Sequence, residues 1–212
     1  IGSSETGMTG NGRIEQATLA DKGSLVHLGP GTAVIDEQHR IIDPTEVGAI
    51  GLMARSGAIP IGYLGDPEKT ARTFIEIDGT RYAVPGDYVQ IEEGHRLTLL
   101  GRGSGCINTG GEKVYPEEVE VALKSHPGVF DTLVFALPDP TYGQQVAALI
   151  EPRPGVALDV EDVRAHLRTR LSGYKVPRTV HVVEKVPRHV TGKADYRRAR
   201  EISDALRAEK AS

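Results

Sequence analysis

The rhythm of hydrophobic and polar positions changes near the middle of the chain. Between residues 13 and 100, short runs rich in Val, Ile and Leu are cut by turn residues: "LVHLGPGTAVID", "HRIIDP", "GAIGLMA", "TFIEIDGTRYAVPGD" and "HRLTLLG". Such runs, punctuated by Gly-Pro-Gly, Asp-Gly and Pro-Gly-Asp, predict a β-rich region. Ile75 to Tyr82 alternates and breaks at Asp78-Gly79, which predicts a hairpin. Asp66-Pro67-Glu68-Lys69-Thr70 predicts a short helix, with Asp as its cap and Pro at the first helical position.

Past Leu100–Arg102 the pattern alternates between helix and strand. Pro116-Glu117-Glu118 opens a helix with its acids where the dipole favours them, and Val119, Ala122 and Leu123 share its apolar face. Lys124 and His126 close it. "VFDTLVFAL" and "QVAALIEP" predict two strands. Asp159 caps a second helix with Asp162 three positions on, and Val163, Leu167 and Leu171 form its stripe. "RTVHVVEKV" predicts a strand, and Asp195 to Leu206 a last helix rich in arginine. The fold class expected is α+β, with a β-rich region over 1–101 and a small α+β domain over 102–212.

Composition narrows the function classes. The 212 residues carry a formal net charge of −4, which argues against nucleic-acid binding through bulk charge. No apolar run approaches the ~18 residues of a membrane span. The first residues do not run from basic to apolar as a secretory leader does, so none is expected. A single cysteine fits a reducing compartment, and a cytoplasmic location is expected. The chain opens at Ile1 on a polar turn rich in Gly, Ser and Thr, and is expected to be part of a longer protein.

Familiar phosphate and metal signatures are missing. "VTGKAD" lacks the upstream Gly and the following Ser/Thr of a phosphate loop, and "GRGSGC" fails the dinucleotide fingerprint at its last position. No His, Cys, Asp and Glu spacing suggests zinc. Four polar turns remain. Ser3-Ser4-Glu5-Thr6-Gly7 offers hydroxyls and a carboxylate suited to phosphate oxygens and Mg²⁺. Pro85-Gly86-Asp87 offers a carboxylate for a ribose diol. Gly110-Gly111-Glu112-Lys113 precedes a helix and lets another group come close to the backbone. Thr191-Gly192-Lys193 can bring a compact charge to a developing anion. Singly, each fits an ordinary turn or a solvated surface lysine as well.

Together and in order they carry more. "IGSSETG", "GYLGDPEKTARTF", "PGDYV", "LLGRGSGCINTGGEKVYPEEVE" and "LSGYKVPRTVHVVEKVPRHVTGK" strongly resemble the AMP-forming acyl-CoA synthetases of the adenylate-forming superfamily, over essentially the whole chain. The resemblance is to the end of the large adenylation domain, a part of a distorted barrel, followed by the small mobile C-terminal domain. It implies that a carboxylic acid and ATP give acyl-AMP and pyrophosphate, after which CoA thiol gives acyl-CoA and AMP.

The resemblance also implies roles. Glu5 matches the Mg²⁺-binding carboxylate and Thr6 the hydroxyl on ATP phosphate. Asp87 and Arg102 match ribose contacts. Lys193 matches the catalytic lysine that bridges the acid and the α-phosphate. Gly110 and Gly111 match the turn lining the CoA arm, and Lys113 sits where relatives place a polar or basic residue near the nucleotide. Gly103 and Ser104 fall at the hinge; the family commonly has Asp or Lys where Ser104 stands. The family's Ser/Thr/Gly-rich phosphate loop and most of the acyl pocket are not in these residues, so the chain by itself is expected not to adenylate. An acyl carrier protein as acceptor, or a non-catalytic C-terminal module, are the alternatives. Cys106 is expected to be a packed residue of a hairpin with no part in the chemistry.

Overall fold

A computed structural model describes residues 2–3, 5–8 and 25–211. Ser4 and residues 9–24, which include the start of the expected β region, lie outside the described residues. The chain divides into two compact units between Ser104 and Gly105. Among the described residues, no helix is long and apolar enough to cross a membrane.

The first unit holds two sheets. β1 (Gly2–Ser3) and β2 (Gly7–Met8) pair antiparallel, so Glu5 and Thr6 occupy the turn between them. The larger sheet contains β3 (Leu25–His27), β4 (Thr32–Ile35), β5 (Ile50–Ser56), β6 (Phe74–Ile77), β7 (Thr80–Ala83), β8 (Asp87–Glu92) and β9 (Arg96–Arg102). Its order is β3-β9-β8-β5-β7-β6, with β4 on the other edge of β5. β5 forks the sheet: Ile50 to Leu52 pair with β8, while Arg55 and Ser56 pair with β7. Among the described residues, β3 and β6 end the path unpaired to each other, so the sheet is open and not a closed barrel. Successive residues of β4 and β5 face opposite sides. Val34 and Met53 join Val89, Ile91 and Leu97 in one cluster, and Ile35 and Ala54 join Ile77 in another.

Local chemistry explains the elements. Helix α1 (Pro67–Thr73) starts where expected: the Asp66 carboxylate accepts from Lys69 N at 2.9 Å. The β6–β7 hairpin turns at Asp78 and Gly79, with φ of 49° and 73°, as a type I′ turn requires. "HRIIDP" does not form a strand. It contributes one isolated bridge, Ile35 to Ile41, and then the Asp43 carboxylate takes both Thr45 N and Thr45 Oγ1. That Asx-type turn competes with any ladder. β8 was not among the strands expected, although its buried positions alternate along its whole length.

The second unit is a sheet between helices. Its strands are β10 (Ile107–Thr109), β11 (Glu112–Val114), β12 (Val129–Asp139), β13 (Gly143–Pro152) and β14 (Thr179–Val182). Its helices are α2 (Pro116–Lys124), α3 (Val160–Arg168) and α4 (Tyr196–Ala211). The β12–β13 hairpin runs in register from Asp131↔Glu151 to Asp139↔Gly143, with a bulge between Val129 and Asp131, and β14 adds parallel to β13 after α3. Val134, Val146, Ala148 and Ile150 pack with α2 and α3 on one face. Leu133, Phe135, Leu137, Ala147 and Leu149 pack with Ala199 of α4 on the other. Both faces are covered, which is why these strands read as continuous apolar runs.

Two details depart from expectation. Asp159 caps α3 by accepting from Glu161 N, but Asp162 meets His126 Nε2 at 3.1 Å and so serves the α2 end. Leu171 lies past the end of α3 and still packs, half-buried, on the same core.

A buried carboxyl makes this unit pH-sensitive. The Glu120 Oε1 accepts from Val134 N at 2.9 Å. Burial pushes its pKa from an ordinary 4.5 up to about 7; the Val134 bond, Lys124 and Arg188 oppose this, and Glu117 adds to it. The folded state therefore holds this proton more tightly than the unfolded chain. The contribution to stability is complete below about pH 4.5 and is lost as pH rises through 7, by roughly 3 kcal/mol at most. Glu120→Gln keeps the acceptor and removes the titration. Denaturant melts at pH 5 and pH 8 should differ less for this variant than for the parent; an unchanged difference would discard this account.

Candidate functional site

In the first unit the expected nucleotide-binding residues fall at two places, the β1–β2 turn and the paired ends of β8 and β9. Glu5 and Thr6 lie in the β1–β2 turn, and Thr6 is buried. Asp87 and Arg102 lie opposite each other where β8 begins and β9 ends, and the Arg102 Nε donates to Asp87 Oδ1 at 3.0 Å. The Asp87 residue is 9% exposed, so Oδ1 is held by the arginine in a shielded position. A carboxylate fixed this way is preorganised to accept hydrogen bonds from a pair of hydroxyl groups.

Tyr63 reaches the β1–β2 turn, a contact that the sequence alone does not point to. Its hydroxyl donates to Glu5 Oε1 at 2.7 Å, from 58 residues away. Burial raises its pKa and the Glu5 bond adds to this, while a hydrogen bond involving Thr73 and the charge of Arg102 act the other way. Lys69 Nζ stands 3.9 Å from the Tyr63 ring centroid. Tyr63 lies within "GYLGDPEKTARTF", but no local pattern marks it as a partner of Glu5. Beside it, Ile61 to Pro67 and Thr70 line an open cleft of about 490 Å³.

Among the described residues, no group of three His, Cys, Asp or Glu side chains converges as a metal cage. Glu5 offers a single carboxylate. That donor set suits Mg²⁺, which keeps several waters and takes further oxygens from phosphates.

The second unit presents two separate loops. Gly110 and Gly111 form the two-residue connection of β10 and β11, with Thr109 paired to Glu112. Their φ values of 60° and 90° are the left-handed pair that a type I′ turn demands, and glycine adopts them at least cost. Lys113 follows on β11 and is exposed. Gly110 N donates to Tyr142 O at 3.0 Å, which docks this turn against the β12–β13 turn.

Lys193 lies on a different turn. His189 N donates to Lys193 O at 2.8 Å, Gly192 N donates to His189 O at 2.8 Å, and Arg188 bridges Ala194. The Arg188 guanidinium clamps the base of this turn. It donates to both oxygens of Asp131 at 2.7 and 2.8 Å, and its Nη1 donates to Gly192 O at 3.3 Å. Burial would push the Asp131 carboxyl up, but bonds from Arg188, Lys124 and Thr132 N reverse this and hold it at about 2. The clamp stays charged across the physiological range. The Lys193 side chain itself is exposed at the tip.

The two loops belong to opposite ends of one strand. Asp131 stands near the start of β12, and Asp139 at its end pairs with Gly143, which also pairs with Thr109 of β10. Eight residues of extended chain separate these ends by about 26 Å. The structure thus brings Gly110, Gly111 and Lys113 together and keeps Lys193 apart from them.

The residues expected at the hinge, Gly103 and Ser104, fall in the 3₁₀ turn Gly103–Gly105, where the chain divides. Gly103 is not in the left-handed region. It is required by space: a Cβ there would lie 2.8 Å from Tyr88 Cε2, and Gly103 N donates to Gly86 O at 3.0 Å. Cys106 is half-buried just before the β10–β11 hairpin, and burial pushes its thiol up despite Lys113. A raised thiol pKa is the reverse of what a nucleophile needs.

Comparison with known proteins supplies context for this geometry. Residues 118–193 match the AMP-binding enzyme C-terminal domain. A medium/long-chain-fatty-acid–CoA/3-oxocholest-4-en-26-oate–CoA ligase of Mycobacterium tuberculosis is 48% identical over 209 residues, which is 99% of this chain and 38% of the relative. The chain therefore spans about 38% of the length of that curated relative. The crystal structure of apo MatB from Rhodopseudomonas palustris superposes with a TM-score of 0.73 at 29% identity, covering 95% of this chain and 40% of MatB. The ATP-bound form of MatB gives 0.71 at 30% identity, covering 83% and 35%.

Proposed function

We propose that the chain, which matches the AMP-binding enzyme C-terminal domain over residues 118–193, is the later part of an adenylate-forming acyl-CoA synthetase, a ligase that joins a carboxylic acid to CoA with cleavage of ATP to AMP and pyrophosphate. The observation that carries this reading is the pairing of a lysine turn and a Gly-Gly turn at opposite ends of one rigid hairpin, in a chain 48% identical to a fatty-acid and steroid-acid CoA ligase. The acid class favoured is correspondingly a fatty or steroid side-chain acid. The single cysteine favours a cytoplasmic setting.

In this reading Asp87, held by Arg102, accepts the ribose hydroxyls of ATP. Thr6 donates to a phosphate oxygen, and Glu5 would hold Mg²⁺, which offsets phosphate charge when bound. Lys193 stands between the acid carboxylate and the α-phosphate. Two anions must approach there, and an ammonium placed between them stabilises the charge building on phosphorus. With the acyl group on AMP and pyrophosphate gone, the small domain turns its other end to the site. Gly110 and Gly111 then offer the CoA arm a path free of side chains, and Lys113 lies beside the nucleotide. The separation along β12 supports this order, because one rigid unit cannot bring both ends to one carbon at once.

The test uses the full-length ligase with ATP, Mg²⁺ and candidate acids. AMP release should depend on both the acid and free CoA. Release that required an acyl carrier protein and ignored CoA would replace this reading with carrier loading. Absence of any acid-dependent pyrophosphate exchange would favour a non-catalytic module.

A further inference from the structure

Resting on the ligase reading above, we infer that Tyr142 is a positioning residue for the Gly110–Gly111 turn, backed by Arg178, and that its effect is confined to the CoA half-reaction.

The β10–β11 hairpin is short. It has three paired positions, and its backbone ladder to the rest of the sheet is one pair, Thr109 with Gly143; Asn108 N donates to Gln144 Oε1 at 2.8 Å, and Ile107 and Val114 root its base in the core, away from the tip. A two-stranded ribbon of that length is marginal alone, so the placement of its tip depends on what lies against it. Tyr142 supplies that contact twice. Its carbonyl accepts from Gly110 N at 3.0 Å. Its ring occupies the space where a Cβ on Gly110 would sit, 2.9 Å from Tyr142 Cδ1.

The ring is itself held. Arg178 Cζ lies 4.1 Å from its centroid, within cation–π range. Arg178 is anchored by its own N–H on Val146 O at 3.0 Å, just before β14. The turn carrying Tyr142 is cinched by Asp139, whose Oδ1 accepts from both Thr141 N and Tyr142 N at 2.9 Å. Arg178 Nη1 also stands 3.8 Å from Asp139 Oδ2. Tyr142 remains 42% exposed, so it contributes little to the core. Its ring, its backbone and its cation partner all bear on the position of the Gly-Gly tip. None of these groups touches the Lys193 turn, which is clamped from Asp131 at the far end of β12.

The full-length ligase gives the test through two separate assays. One is acid-dependent ATP–pyrophosphate exchange; the other is acyl-CoA formation from supplied acyl-adenylate. A parent enzyme lacking both activities would sink the ligase reading itself, so that failure is distinct. Tyr142→Ala should lower kcat/KM for CoA by about 10- to 100-fold, since displacement of a positioning group by an ångström has that effect. Exchange should be unchanged. Tyr142→Phe should restore the CoA step, because the ring and the carbonyl make the contacts. Arg178→Ala should lower the same step to a smaller degree. Equal losses in both assays from a folded Tyr142→Ala protein, no loss in either, or no rescue by Phe would overturn the inference. Should circular dichroism show Tyr142→Ala unfolded, Arg178→Ala decides: a drop confined to the CoA step supports the inference and an unaltered CoA step ends it.

Discussion

Lys193→Ala in the full-length ligase is expected to slow acid-dependent ATP–pyrophosphate exchange by about 10²- to 10³-fold, the usual loss when one preorganised donor to a developing anion is removed. Thioester formation from supplied acyl-adenylate should stay close to the parent rate. The turn itself should survive the change, because its hydrogen bonds use the Lys193 carbonyl, Gly192 and His189 backbone groups, and the Arg188–Asp131 clamp. The side chain is exposed and contributes no core packing. Loss of both half-reactions together would show that Lys193 supports the fold and would remove it from the chemistry. Unchanged exchange would exclude it outright.

The second large effect is expected at the other end of the domain. Gly110→Leu should lower CoA-dependent turnover by about 10²-fold and leave exchange near the parent level. Two physical causes act together. A side chain at φ of 60° is strained, at a cost of about 1–3 kcal/mol. The new Cβ would also lie 2.9 Å from the Tyr142 ring, so the tip or the ring must move. Stopped-flow measurement of acyl-adenylate consumption at varied CoA checks this. A variant whose exchange fell in parallel with its CoA step would argue that the turn is only a structural connector.

Much of the fold is readable residue by residue. Asp66 and Pro67 announce α1, Asp78-Gly79 announces a hairpin, and the apolar stripe of Val119, Ala122 and Leu123 is the buried face of α2. Each of these depends on chemistry within a few residues. β8 was hidden for a local reason: Pro85-Gly86 reads as the end of a strand, although Val89 and Ile91 alternate with polar neighbours beyond it. "HRIIDP" erred the other way, because Asp43 can satisfy the backbone of Thr45 without a ladder.

The candidate site was legible only as a set of ordered turns. The Gly-Gly turn and the Lys193 loop carry their own punctuation. Their supports do not. Tyr63 finds Glu5 from 58 residues away, and Arg188 finds Asp131 from 57 away. Glu120 looks like any surface acid of a helix until β12 covers it. Pairings of that span are created by tertiary packing, and nothing in the neighbouring residues encodes them.

The length of the β12–β13 hairpin has an evolutionary consequence. Its two ends are far enough apart, and rely on different enough side chains, that mutations at one end are nearly additive with those at the other. On the ligase reading, selection can therefore alter the turn proposed to meet the thiol acceptor while the lysine proposed to activate the acid stays as it was. A lineage could change the molecule that receives the acyl group through substitutions around Gly110 and Tyr142, without passing through ancestors that had lost the ability to activate it.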